Sequence, residues 1–69
     1  MDPKKIKQKF TYHSPDKTQV SKFETLRNKG KDLADTINVC VPDSEEKSIA
    51  INKLSEVIMW ANAGIARNE

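Results

Sequence analysis

From Phe23 onward, apolar or small residues return at intervals of three and four: Phe23, Leu26, Gly30, Leu33, Ile37 and Cys40. That spacing draws a seam along one face of an α-helix and predicts a first long helix over residues 18–40. Gly30 on the seam costs up to about 1 kcal/mol of helix propensity relative to alanine. Its missing side chain lets a partner helix or a ligand come close. Pro42 cannot continue the helix. Asp43, with Glu46 three residues later, reads as an N-cap and capping box that starts a second helix over residues 43–67. Ala50, Leu54, Val57, Ala61 and Gly64 form a seam able to face the first helix, with Ile51, Ile58 and Ile65 recurring beside it. So short a connection makes the two helices antiparallel neighbours.

Residues 2–16 read as a short helix followed by an arm. Asp2 is a candidate N-cap and Pro3 suits the first helical position, which predicts a helix over residues 2–9. Phe10-Thr11-Tyr12-His13-Ser14-Pro15-Asp16 reads as extended, because its residues lean towards β structure and Pro15 disfavours helix at Ser14. The predicted fold class is all-α, an antiparallel two-helix hairpin in a single domain, residues 1–69.

Composition turns this hairpin into a prediction of self-association. A chain of 69 residues buries only about 60% of its unfolded surface, which leaves a monomer marginal. A disulfide within the chain is excluded because Cys40 is the single cysteine. One histidine, His13, far in sequence from that cysteine, makes no recognisable metal-ligand set. A homo-oligomer remains, and it explains the surplus apolar surface of the second helix, where Met59 and Trp60 add to the isoleucine row. The small residues around Ala61, Ala63, Gly64 and Ala66 suit close approach of several helices near a symmetry axis. Cys40 reads as a small hydrophobe on the seam, and a lone thiol fits a reducing cytosol. The charged start does not read as a secretory signal, and no segment reads as membrane-spanning.

Charge narrows the partner. Residues 1–31 carry nine Lys/Arg against Asp2, Asp16 and Glu24, and residues 32–69 carry three against seven acids, so the N-terminal half holds the positive excess. An anionic ligand and a solvated lysine-rich surface both satisfy that asymmetry. No nucleophile–base set, carboxylate pair or phosphate-cradling glycine loop stands out, so the expectation is a binding protein, not an enzyme, with no cofactor. Phe10 and Tyr12 alternate along the arm, either as stacking surfaces for a flat base or as packing against the helices. Arg27 stands beside the seam with Lys29 and Lys31 following, placed either to pair with phosphate or to solvate the helix. Arg67 lies in the last turn of the second helix, where a cation offsets the helix dipole; copies gathered at a symmetry axis would need an anion between them.

The arm Lys9-Phe10-Thr11-Tyr12-His13-Ser14-Pro15, the basic helix around Gly30, the Cys-x-Pro-Asp-Ser turn and the ending Met59-Trp60-Ala61-Asn62-Ala63-Gly64-Ile65-Ala66-Arg67-Asn68-Glu69 resemble the phage anti-CBASS protein family. The hairpin domain of the phage anti-Thoeris sponges is among its relatives. The resemblance covers nearly the whole chain. It implies a hexamer of hairpins in the cytoplasm of an infected bacterium, sequestering cyclic di- and trinucleotide messengers without cleaving them. It assigns cyclic dinucleotide binding to Tyr12, which stacks on bases, and Arg27, which meets phosphate where relatives commonly carry lysine; Phe10 and Lys31 complete the candidate set. It assigns a separate cyclic trinucleotide site to Arg67, with His13, where some relatives differ, as a neighbour. Neither a membrane nor a DNA or RNA polymer is an expected partner.

Three other readings keep their place. An anti-Thoeris sponge would take cyclic ADP-ribose isomers. A small basic nucleic-acid-binding protein would prefer long polymers and lose affinity steeply with salt. An assembly module would show the oligomer and no ligand.

Overall fold

The computed structural model describes residues 2–10 and 14–69. Among these the regular structure is all helical, in the order α1 (Pro3–Phe10), α2 (Lys17–Cys40) and α3 (Glu45–Asn68). The amide of Lys4 donates to the Asp2 carboxylate at 3.0 Å, and those of Lys5 and Ile6 donate to the Asp2 carbonyl at 3.0 and 3.2 Å. Asp2 and Pro3 therefore start α1 as their residue types require. Phe10 is the last residue of α1 and not the first of an extended arm. The lysine- and glutamine-rich run favours helix, and Pro15 restrains only Ser14 before it. Tyr12 and His13 lie outside the described residues.

Both long helices are capped, in one case differently from expectation. At α2 the Gln19 amide donates to Asp16 Oδ1 at 2.8 Å and the Asp16 amide donates to Gln19 Oε1 at 3.1 Å, a complete capping box. At α3 the cap is Ser44, not Asp43: the Lys47 amide donates to Ser44 Oγ at 3.1 Å. Ser44 is extended, with φ −169° and ψ 166°, and directly precedes the first helical residue, which places its hydroxyl at the exposed amides. Asp43 instead accepts from Lys47 Nζ at 2.9 Å. That hydrogen bond, and then the ammonium charge, holds the Asp43 carboxyl below its ordinary range. Glu45 and Glu46 fill the first turn of α3 and favour its positive dipole end.

The hairpin is antiparallel: Lys22, early in α2, pairs with Glu69 after the end of α3, while a Cβ on Gly30 would stand 2.9 Å from Ile58 Cγ1. The contact faces are rotated from the heptad seams. On α2 the half-buried apolar positions are Phe23, Leu26, Ala34 and Ile37 around buried Gly30, whereas Leu33 is 48% exposed and Cys40 is exposed. A straight α-helix drifts about 20° from each heptad repeat, so the row steps from Gly30 to Ala34 and carries Leu33 and Cys40 off the contact. On α3 Ala50, Leu54 and Ala61 of the expected seam are half-buried, together with Ile51, Ile58 and Ile65 from the row beside it. Val57 is 59% exposed, and nothing lies within 4 Å of a Cβ built on Gly64. The longer isoleucines fill the space that Gly30 opens, which alanine and glycine on the neighbouring row would leave empty.

This packing is incomplete. Among the described residues no hydrophobic side chain is buried, and Val57, Met59 and Trp60 remain more than half exposed. The molecule measures 47 × 30 × 13 Å, a slab with no second layer over the hairpin among the described residues. No described helix is long and apolar enough to cross a membrane.

Gly30→Ala tests the contact at the centre of the hairpin. Ile58 is stiff at χ1, so the added methyl should overpack the seam and lower stability by about 1–2 kcal/mol, measured by urea unfolding. With Ile58→Ala already in place the methyl has room. There the same substitution should raise stability by up to about 1 kcal/mol through helix propensity. The same sign in both backgrounds would refute the close contact.

Candidate functional site

On one side of the hairpin a groove of about 300 Å³ runs between the long helices. Its α2 wall is Arg27, Gly30, Lys31 and Ala34, and its α3 wall is Ile51, Leu54, Ser55 and Ile58. Helical geometry explains the grouping. Arg27, three residues before Gly30, and Lys31, one after it, turn to the same side of α2 at 100° per residue. Both cations therefore stand on one lip, and the aliphatic side chains of α3 form the floor. Gly30 deepens the floor because it brings no side chain of its own.

The electrostatics follow from this placement. Arg27 and Lys31 are exposed, and among the described residues neither makes a hydrogen bond or an ion pair. The Arg27 guanidinium offers a planar fork of donors suited to a phosphate or carboxylate, and Lys31 adds a point charge. An apolar floor under a cationic lip suits a ligand that is flat and apolar on one part and anionic on another. At about 300 Å³ the groove is at the lower end of ligand pockets, which run to about 1,000 Å³.

Two polar residues on this side did not emerge from the sequence. Ser55 lines the groove. Asn62, four residues after Ile58, turns to the same side, and its Oδ1 is buried without a hydrogen-bond partner. Their spacing of −3 and +4 from Ile58 was the available signal, and the strict heptad reading of the seam concealed it.

A second depression, about 570 Å³, lies at the open end of the hairpin, lined by Ser14, Pro15, Asp16, Gln19, Phe23, Ala66 and Glu69. It adjoins the arm at Ser14. Of the other candidates, Phe10 ends α1, and Tyr12 and His13 are outside the described residues. Arg67 is exposed in the last turn of α3. Nine residues beyond Ile58, it turns to the opposite side of that helix. The structure thus brings Arg27 and Lys31 together and keeps Arg67 apart from them. Among the described residues no group of three or more His, Cys, Asp or Glu is arranged to hold a metal ion.

The architecture is that of a helical hairpin, two long antiparallel helices with a basic groove on one side. The family model described as the Acb2/Tad1 hairpin domain matches residues 2–66. The chain therefore belongs to the Acb2/Tad1 hairpin family, the anti-CBASS and anti-Thoeris sponges that its arm and its C-terminal sequence resemble. No curated protein and no solved structure matches it.

If the lip of the groove serves a ligand and not the fold, removing its charges should leave folding intact. Arg27→Ala and Lys31→Ala should each change unfolding free energy by no more than about 0.5 kcal/mol, measured by urea titration at matched protein concentration. A loss of about 2 kcal/mol in either variant would make the residue a structural one.

Proposed function

We propose that this protein is a phage anti-defence sponge that binds and sequesters cyclic oligonucleotide messengers without cleaving them. Membership of the Acb2/Tad1 hairpin family carries the reading. The unpaired cationic lip of the Arg27–Lys31 groove supports it, because a phosphodiester needs such partners and the aliphatic floor can take the face of a base. In this reading Tyr12 stacks on a base, with Phe10 beside it in the chain, and Arg27 and Lys31 meet the phosphates. Arg67, with His13, forms a second site for cyclic trinucleotides. Binding needs no bond to break, so the protein is not an enzyme, and it acts in the cytoplasm of the infected bacterium.

The sites are completed by assembly, which we infer to be a hexamer. Exposed Val57, Met59 and Trp60 on α3 are candidates for the covered surface. Burial of large apolar side chains contributes about 1.5–3 kcal/mol each, enough to make the oligomer the stable form. Light scattering should give a mass near six chains. A folded monomer at micromolar concentration would remove both the hexamer and the shared pockets.

Titration calorimetry with cyclic dinucleotides, cyclic trinucleotides and cyclic ADP-ribose isomers identifies the ligand class. Tyr12→Ala and Arg27→Ala should each weaken dinucleotide binding at least about tenfold with the hexamer intact, consistent with charge-assisted contacts of about 1.5–3 kcal/mol. Arg67→Ala should spare dinucleotides and abolish trinucleotide binding. Bound ligand should be recovered intact after heat denaturation. Linear product accumulating with time would mean catalysis, and tight binding confined to cyclic ADP-ribose isomers would place the chain among the anti-Thoeris sponges.

A further inference from the structure

Helix α1 is not accounted for by the hairpin or by the groove. It packs extensively on neither long helix, since α2 against α3 is the main helix pairing of the described residues. Lys4, Lys5 and Lys7 are exposed, and among the described residues none of the three takes part in an ion pair. The first turn of α1 holds no acidic residue. Three unpaired charges are thus concentrated on one short helix, although the whole chain carries only +2. Such a cluster adds little to fold stability, and mutual repulsion of its members opposes helix formation.

The helix is tied close to the open end of the hairpin by the length of chain between them. From Lys7 to Phe10 the helix rises about 1.5 Å per residue, and from Phe10 to Ser14 the chain spans at most about 3.6 Å per residue. Lys7 therefore lies within roughly 20 Å of Ser14, which lines the depression at that end. At an ionic strength of about 0.01 M the screening length is about 30 Å, and at about 0.1 M it is about 10 Å. The α1 charges act on an anion approaching the open end in dilute salt and are largely screened in concentrated salt.

We propose that α1 is an electrostatic steering element: Lys4, Lys5 and Lys7 speed the encounter with an anionic cyclic nucleotide without holding it once bound. The assignment rests on the proposed sponge function for the identity of the ligand. It adds that capture rate and retention are divided between α1 and the hairpin. A sponge competing with a receptor for a newly made messenger gains from fast capture, and steering is the physical means of raising a rate without adding a contact.

Stopped-flow binding of a cyclic dinucleotide carrying a fluorescent purine analogue tests this on the full chain. The variant Lys4→Gln/Lys5→Gln/Lys7→Gln keeps helix propensity. At about 0.01 M salt its association rate should fall about two- to fivefold, the effect expected of three charges at this range. The dissociation rate should be unchanged, and the difference in association should vanish near about 0.5 M salt. Faster dissociation in the variant would make the lysines direct contacts and overturn steering. An altered sedimentation coefficient would assign them to assembly and overturn it equally. Wild-type protein that binds no cyclic nucleotide would remove the sponge reading as well, whereas binding at a rate the substitutions leave unchanged removes only steering.

Discussion

Two helices laid side by side can touch along one stripe each, and this limit governs the molecule. The stripe here is centred on Gly30 against Ile58, where an added Cβ would stand 2.9 Å from the isoleucine side chain. Around it Phe23, Leu26 and Ile37 on α2 and Ile51, Leu54 and Ile65 on α3 are all only partly covered. A second layer would be needed to bury them, and among the described residues the slab, 13 Å in its thinnest direction, has none. The hydrophobic effect that stabilises a globular domain is therefore only partly used by one chain.

The same incompleteness makes the hairpin suited to shared sites. The groove between the helices has an aliphatic floor, a cationic lip at Arg27 and Lys31, and one open side. A second copy closing that side would enclose a ligand between two chains. The charge asymmetry of the chain has a spatial meaning: the lysines of α1 lie towards the open end, and Asp43, Glu45 and Glu46 lie at the hairpin turn.

Capping shows how local chemistry and geometry divide the work. Asp43 and Ser44 are both competent N-caps, and which one caps depends on which residue takes the extended conformation directly before the first helical turn. Ser44 does, and Asp43 turns to Lys47 instead. At α2 the Asp16–Gln19 capping box places the helix start one residue before the expected Thr18.

The sequence by itself determined the all-helical class, the turn at Pro42, the antiparallel pairing, the short first helix begun by Asp2 and Pro3, and the resemblance that the family match bears out. Each is local in origin, set by residue spacing, by backbone restriction or by the shortness of a connection. Tertiary structure decided the rotation of the helices about their own axes. Spacings of three and four leave two adjacent rows on each helix nearly equivalent in sequence. The choice between Leu33 and Ala34, or between Val57 and Ile58, comes from how isoleucine fits the gap above Gly30. That rotation exposed Cys40, set Arg27 and Lys31 on one lip, brought Ser55 and Asn62 to the same side and turned Arg67 away. No local rule supplies it, because it depends on the shape of a second helix that the residue pattern of the first does not contain.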